Sequence, residues 1–218
     1  MNRSSKNRLT EKELFLFPGD TLFDKIGRAV CLAGCLPRKE LFEAWEVARR
    51  VRRQFRGGRV VDLACGHGLA ASLLLLLDNS SPHAMAVDCS IPASAYRLHE
   101  VLVKRWPRLG NRVEFVEAPL EMIALAETDL VVSIHACGGL TDLVLERATA
   151  VGGRLAVLPC CHNLDEADRG GLAGWLDGPI AVDVARANRL RGKGYKIFTQ
   201  QIPNDITPKN RLLMGEPI

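Results

Sequence analysis

No apolar run in this chain approaches the roughly 20 residues that a helix needs to cross a bilayer. The run Leu73 to Leu77 closes at Asp78 and Asn79, so it reads as a buried helix and no membrane partner is expected. No apolar segment led by Lys or Arg opens the sequence, and seven cysteines is an odd number, so a secreted disulfide framework is not expected. Reduced thiols and a cytoplasmic location fit better. Internal repeats and low-complexity tracts are also lacking. What is present is ordinary globular material. With 47% hydrophobic and 25% charged residues the chain is not a disordered one, and 218 residues suffice for one sizeable α/β domain but not two.

Acidic residues are absent from "RRVRRQFRGGR", Arg49 to Arg59, where six arginines fall within eleven residues, although the net charge of the whole chain is only +4. Such a face can bind the phosphates of RNA without reading sequence. A solvated helix face accounts for the same residues, because Glu46 is placed to pair with Arg50 at i, i+4. The one aromatic within the stretch, Phe55, belongs to the buried stripe of its helix, so no stacking platform interleaves with the arginines.

Residues 1 to 9 are polar and are expected to be mobile. Thr10 and Glu13 form a capping box for a short helix that ends before Pro18-Gly19, and Asp20 is the next candidate N-cap. Leu22, Ile26, Ala29, Val30 and Ala33 recur at helical spacing until Gly34 and Pro37. A third helix runs from about Lys39 to Arg56, with Leu41, Ala44, Trp45, Ala48, Val51 and Phe55 as its buried stripe. Residues 1–56 thus form a helical N-terminal extension. From Arg59 onward, apolar runs near 59–64, 84–88, 113–117, 129–135 and 154–159 alternate with helical patterns. A short helix is expected in the loop after the fifth run, then a helix near 180–192 and strands in "YKIFTQQI" and "RLLMG". The alternation predicts right-handed βαβ units: an α/β, Rossmann-like, mostly parallel seven-stranded sheet with helices on both faces, residues 57–218 forming one compact unit.

In such a sheet the ligand lies beyond the carboxyl ends of the strands. There "VVDLACGHGLA", residues 60–70, stops at two glycines that let a backbone approach a nucleotide-like ligand. Gly66, Gly68 and Ala71 also satisfy the loose dinucleotide pattern, so the stretch alone does not separate a nicotinamide cofactor from S-adenosylmethionine. Asp88, twenty residues after Gly68, ends the second strand with Cys89 and is placed to accept both hydroxyls of a ribose. Asp62 either orients the cofactor through the loop or bonds loop amides. "SIHACGG" and "LPCCHN" end the fourth and fifth strands. His135, Cys161 and His162 are candidates for proton removal or substrate positioning, with structural hydrogen bonding as the alternative. Cys137, Cys160, Cys161 and the histidines also suggest a metal, but adjacent strand residues point to opposite faces and zinc ligands usually keep C-x₂₋₄-C spacing, so no metal is expected.

"VVDLACGHG" resembles motif I of class I S-adenosylmethionine-dependent methyltransferases, with Ala64 and Cys65 where many members have glycine and an arbitrary residue. "PRKELFE", "HACGGLTDLVLERA", "LAVLPCCHN", "VDVARANRLRGKGYKIF" and "ITPKNRLLM" look like a subfamily that includes acceptor-stem tRNA 2′-O-methyltransferases and ribosomal RNA adenine dimethylase domain-containing proteins. The likeness spans about residues 38–215. It implies that S-adenosyl-L-methionine is the cofactor, that Asp62, Ala64, Cys65, Gly66, His67 and Gly68 surround its methionine portion, and that Asp88 and Cys89 lie at its ribose. Ala118, Pro119 and Leu120 would lie against adenine. Pro119 stands where many class I enzymes carry an acid for the adenine amino group, leaving backbone carbonyls, Glu117 or Glu121 to serve. The implied activity is methyl transfer, with a tRNA ribose 2′-oxygen as acceptor. The tRNA enzymes also carry zinc-finger segments ahead of the catalytic domain, and this sequence shows none. A small-molecule or protein methyltransferase, an NAD-dependent oxidoreductase and a non-catalytic RNA-binding module with a vestigial pocket are the alternative functions.

Overall fold

In the computed structural model, which describes residues 1–218, one seven-stranded sheet carries the chain. Its strands are β1 (Val60–Leu63), β2 (Ala84–Asp88), β3 (Val113–Glu117), β4 (Leu130–Ser133), β5 (Arg154–Val157), β6 (Tyr195–Gln201) and β7 (Arg211–Pro217). The order is β3-β2-β1-β4-β5-β7-β6. The first five strands pair in parallel, and β7 inserts antiparallel between β5 and β6. β1, β4 and β5 are covered on both faces, which is why they read as unbroken apolar runs.

Alternate residues of the central strands feed two cores. Val60, Ala86 and Val132 join the larger one, with α1 (Leu22–Ala33), α2 (Arg38–Gln54), α3 (Leu69–Leu77) and α4 (Ala93–Arg105). Val61, Val87 and Val131 join the smaller, under α5 (Gly139–Ala150) and α6 (Gly178–Gly192). The N-terminal helices therefore share a core with the sheet. The chain order reverses between β1 and β4, opening a crevice at their carboxyl ends. No helix is long and apolar enough to cross a membrane.

Four local expectations need correction. Residues 1–9 are held in place: Pro37, the N-cap of α2, offers no side-chain cap, and the first amides of the helix donate instead to tail carbonyls, Arg38 to Asn7 and Lys39 to Ser5, each at 3.0 Å. Leu9 is fully buried and Arg3 pairs with Asp205. α1 is capped by Thr21, whose hydroxyl accepts from the Asp24 amide at 3.1 Å, not by Asp20. The segment after β5 forms turns with no helix until Gly178. Arg52 is not on the solvated arc. Its side chain is 3% exposed, donates to the Leu74 carbonyl and Ser81 hydroxyl at 3.0 and 2.7 Å, and lies 3.3 Å from Asp78.

Candidate active site

The tips of β1, β2 and β3 are tied together by short contacts. The Gly66 amide donates to Asp88 Oδ2 at 2.9 Å, bringing the glycine turn against the acid that sequence reading assigned to a ribose. The Cys65 amide donates to the Val87 carbonyl at 2.9 Å and the Ala118 amide to the Asp88 carbonyl at 3.0 Å. The turn has positive φ at Ala64 (57°), Gly66 (54°) and Gly68 (66°), and Ala64 is the one non-glycine residue of the chain in that region. Such strain persists where surrounding contacts impose it, commonly at ligand sites.

The two glycines differ. A Cβ at Gly68 would meet Phe115 Cε1 at 2.7 Å, whereas one at Gly66 would meet nothing within 4 Å. Gly68 is therefore needed to seat the turn on β2 and β3, and Gly66 opens toward the cleft.

Asp62 is buried beneath the turn, accepting a hydrogen bond from the Ala71 amide in the first turn of α3 at 3.2 Å. Burial pushes its carboxyl up to about 7, that amide opposes the rise and Asp88 adds to it. The Cys65 thiol is driven up by burial and by the same two carboxylates. His67 Nε2 meets the Ser94 hydroxyl at 2.9 Å, and burial lowers its basicity. Cys89 is exposed, Ala118 and Pro119 lie at the surface edge of β3, and Leu120 is buried in the smaller core.

Across the crevice, His135 and Asp62 line one small cavity of about 40 Å³, with Glu40 of α2 on its far wall. Glu40 and His135 also border an open cleft of about 540 Å³ that continues past Cys160, Cys161 and Lys209. Sequence reading missed this wall. Glu43 is 2% exposed, its Oε2 has no hydrogen-bond partner and lies 3.6 Å from His135 Nε2, and Lys39 Nζ is 3.3 Å from its Oε1. Burial raises the Glu43 carboxyl; the His135 side chain is 40% exposed to the cleft, and its partial desolvation followed by the Lys39 charge lowers the imidazole below its usual range. The available signal was Glu43 standing one turn before buried Val47 on the same helix face.

Of the proposed acceptor-side residues, His135 and Cys161 face this cleft together and His162 does not. The His162 side chain is 4% exposed and its Nε2 lies 2.7 Å from Asp183 Oδ1. Asp183 also accepts from Arg211 Nε at 2.7 Å and Arg186 Nη1 at 3.3 Å. Its carboxyl is pulled up by burial but held below its usual range by His162 and Arg211. His162 is thus a buried strut between the β5 loop and α6.

Cys160 and Cys161 lie beyond the end of β5, so strand alternation does not separate them. Their Sγ atoms and that of Cys137 all lie within 4.8 Å of one another, and no cysteine is in a disulfide. Lys209 Nζ donates to Cys161 Sγ at 3.2 Å and lowers that thiol's pKa, whereas burial and the neighbouring Cys137 push Cys160 to about 12.

Known proteins share this fold. Solved structures with a similar fold include an O-methyltransferase family protein from Burkholderia thailandensis, at TM-score 0.55 and 19% identity, covering 96% of this chain and 63% of that one. A putative rRNA methylase from Clostridium thermocellum is similar at TM-score 0.55 and 16% identity, covering 78% and 93%. The m1A22 tRNA methyltransferase of B. subtilis is similar at TM-score 0.51 and 17% identity, covering 81% and 65%. At these identities the likeness speaks for the fold, and the chain spans less than two thirds of the Burkholderia protein. Among curated proteins none matches significantly. A family model described as a methyltransferase domain matches residues 40–166, more than half of the chain and every strand tip from Asp62 to His162. A fold of this class, a strained glycine turn against the acid of β2 and that match together place the chain in this methyltransferase family.

Proposed function

We propose that the protein transfers a methyl group from S-adenosyl-L-methionine to RNA, with a tRNA ribose 2′-oxygen as the acceptor. The observation that carries the donor assignment is the contact between the Gly66 amide and Asp88. It leaves the second Asp88 oxygen for ribose hydroxyls, and the space that a Cβ would fill at Gly66 is open for the methionine portion. The donor group would be held by these residues and by Asp62 beneath them, and it supplies a methyl already activated on a sulfonium sulfur. The protein's own task is then positioning. His135, at the junction of the two cavities, orients the acceptor hydroxyl.

RNA is supported by Lys6 and Lys209 at the rim of the larger cleft, where neither is paired with an acid, whereas Lys39 there is paired with Glu43. The Arg49–Arg59 face contributes little, because Glu46, Asp78 and Asp129 pair with five of its six arginines. Titration calorimetry tests the donor. S-adenosylhomocysteine is expected to bind and NAD(H) not to, with D88A weakening the affinity at least about tenfold, the value of one hydrogen bond to a charged group. Methyl-labelled donor offered to separate RNA, protein and metabolite pools tests the acceptor. Label in RNA that renders the neighbouring linkage alkali-resistant is the expected result. NAD(H) binding would replace the reading with an oxidoreductase, and salt-sensitive RNA binding without transfer would replace it with a binding module.

A further inference from the structure

Three thiols from two adjacent strand-end loops meet beside the larger cleft, which Cys160 and Cys161 line, and the positioning of donor and acceptor leaves them without a role. Cys137 follows β4, Cys160 and Cys161 follow β5, and these strands pair directly. The Gly138 amide donates to the Cys161 carbonyl at 3.0 Å, locking the loops side by side. Cys137 and Cys161 are exposed, so they are not small core hydrophobes, and three thiols cannot all be satisfied by one disulfide. We propose that Cys137, Cys160 and Cys161 form a three-thiolate site for a soft divalent cation of the zinc class, with its fourth coordination position open to the cleft.

Three features argue for a metal. All three Sγ atoms lie within 4.8 Å of one another, and tetrahedral Zn–S bonds of about 2.3 Å place sulfurs about 3.8 Å apart. The Cys137 and Cys160 sulfurs stand at 2.8 Å, so a rotation about one χ1 must open that pair by about 1 Å to admit the ion. Charge balances as well: three thiolates and a dication sum to −1, and the Lys209 ammonium on Cys161 brings the site to zero. Each metal–sulfur bond replaces an S–H bond, and the proton leaves to solvent. Three protein ligands with an open fourth position is the pattern of zinc sites that engage a substrate or water, and soft sulfur ligands select such ions over magnesium or calcium. The site does not depend on the identity of the methyl donor.

The test uses the full chain, purified metal-free under reductant with its thiols counted. One equivalent of Co(II) is expected to give thiolate-to-cobalt charge-transfer absorption and tetrahedral d–d bands, both abolished by one equivalent of Zn(II). C137S, C160S and C161S are each expected to weaken Zn(II) binding by at least about tenfold in competition with a chromophoric chelator, while C89S leaves it unchanged. Circular dichroism verifies the fold. Cys161 is exposed, so C161S provides the test even if substitution at Cys160 disturbs packing. Three reduced thiols with no stoichiometric metal uptake, uptake that survives the C160S/C161S double variant, or a Cys137–Cys160 disulfide that resists the reductant and excludes metal would each overturn the proposal.

Discussion

In the half of the crevice formed by β1 to β3, the candidate residues are held by main-chain groups at neighbouring strand tips. In the half formed by β4 and β5, they are held by side chains from distant parts of the sequence. Asp88 meets the Gly66 amide and Asp62 meets the Ala71 amide, both within one βαβ unit. His135 faces Glu43 of α2, Cys161 meets Lys209 beyond β6, and His162 meets Asp183 of α6. The first half is a backbone device whose parts come close together in the sequence. The second depends on how loops and helices pack.

The sharpest way to break this comparison lies within the glycine turn. Valine at Gly68 meets a positive φ and the Phe115 ring at once, and G68V is expected to lose about 4 kcal/mol in urea unfolding. G66A carries the backbone strain alone, about 1 kcal/mol, and places its methyl in open space, so it should keep the fold and lose S-adenosylhomocysteine affinity. Equal destabilisation by the two would mean that the turn has no ligand-facing side.

This division also marks what was legible in the sequence. All seven strands fall where periodicity places them, because unbroken apolar runs and alternating patterns report burial directly. The Asp88 contact followed from spacing after the glycine turn. Arg52, by contrast, sits among arginines that all look solvated, and its burial depends on Asp78 and Ser81 arriving from the far end of α3. The ordering of residues 1–9 depends on α2 lacking a side-chain cap, which no property of the tail itself reveals. The rule that adjacent residues face opposite ways failed at Cys160-Cys161 because β5 ends at Val157, and strand ends are where patterns carry least information.

A second prediction concerns pH. Asp62 stands at about 7 against 3.8 for an exposed aspartate, so folding raises its affinity for a proton. Below pH 4 both folded and unfolded chains hold the proton. As pH rises through the window to 7 only the unfolded chain releases it readily, so stability falls, by about 4 kcal/mol in all, and then levels off. Asp88 lies across the loop, while Glu40 and His135 share the same cavity. The Ala71 amide is the one hydrogen-bond donor that favours the charged form. D62N should flatten the pH 4–7 slope of the urea midpoint. With the methionine portion placed over Asp62 as proposed, saturating S-adenosylhomocysteine should also shrink the wild-type slope, because its ammonium group would favour an ionised Asp62. A slope that D62N leaves unchanged would assign the pH dependence to other groups.

A more modest effect separates the two roles open to His162. A cleft residue that handles a proton can be removed with little loss of stability, since its ring serves the ligand rather than the fold. A buried strut behaves the other way. Removing the His162 ring deprives Asp183 of one charge-assisted partner but leaves Arg186 and Arg211 on the carboxylate, so no bare charge is created and the cost stays below that of a broken buried pair. H162A is therefore expected to lose about 2 kcal/mol while S-adenosylhomocysteine affinity holds, and R211M, which strips the same carboxylate from the β7 side, should shift stability in the same direction. H162A and R211M together should cost more than the sum of the two, because each alone leaves the other group on the Asp183 carboxylate and the pair leaves only Arg186 at 3.3 Å. Full stability in H162A together with lost methyl transfer would return the imidazole to the cleft, and the acceptor half would then share the donor half's economy of short, ligand-facing contacts.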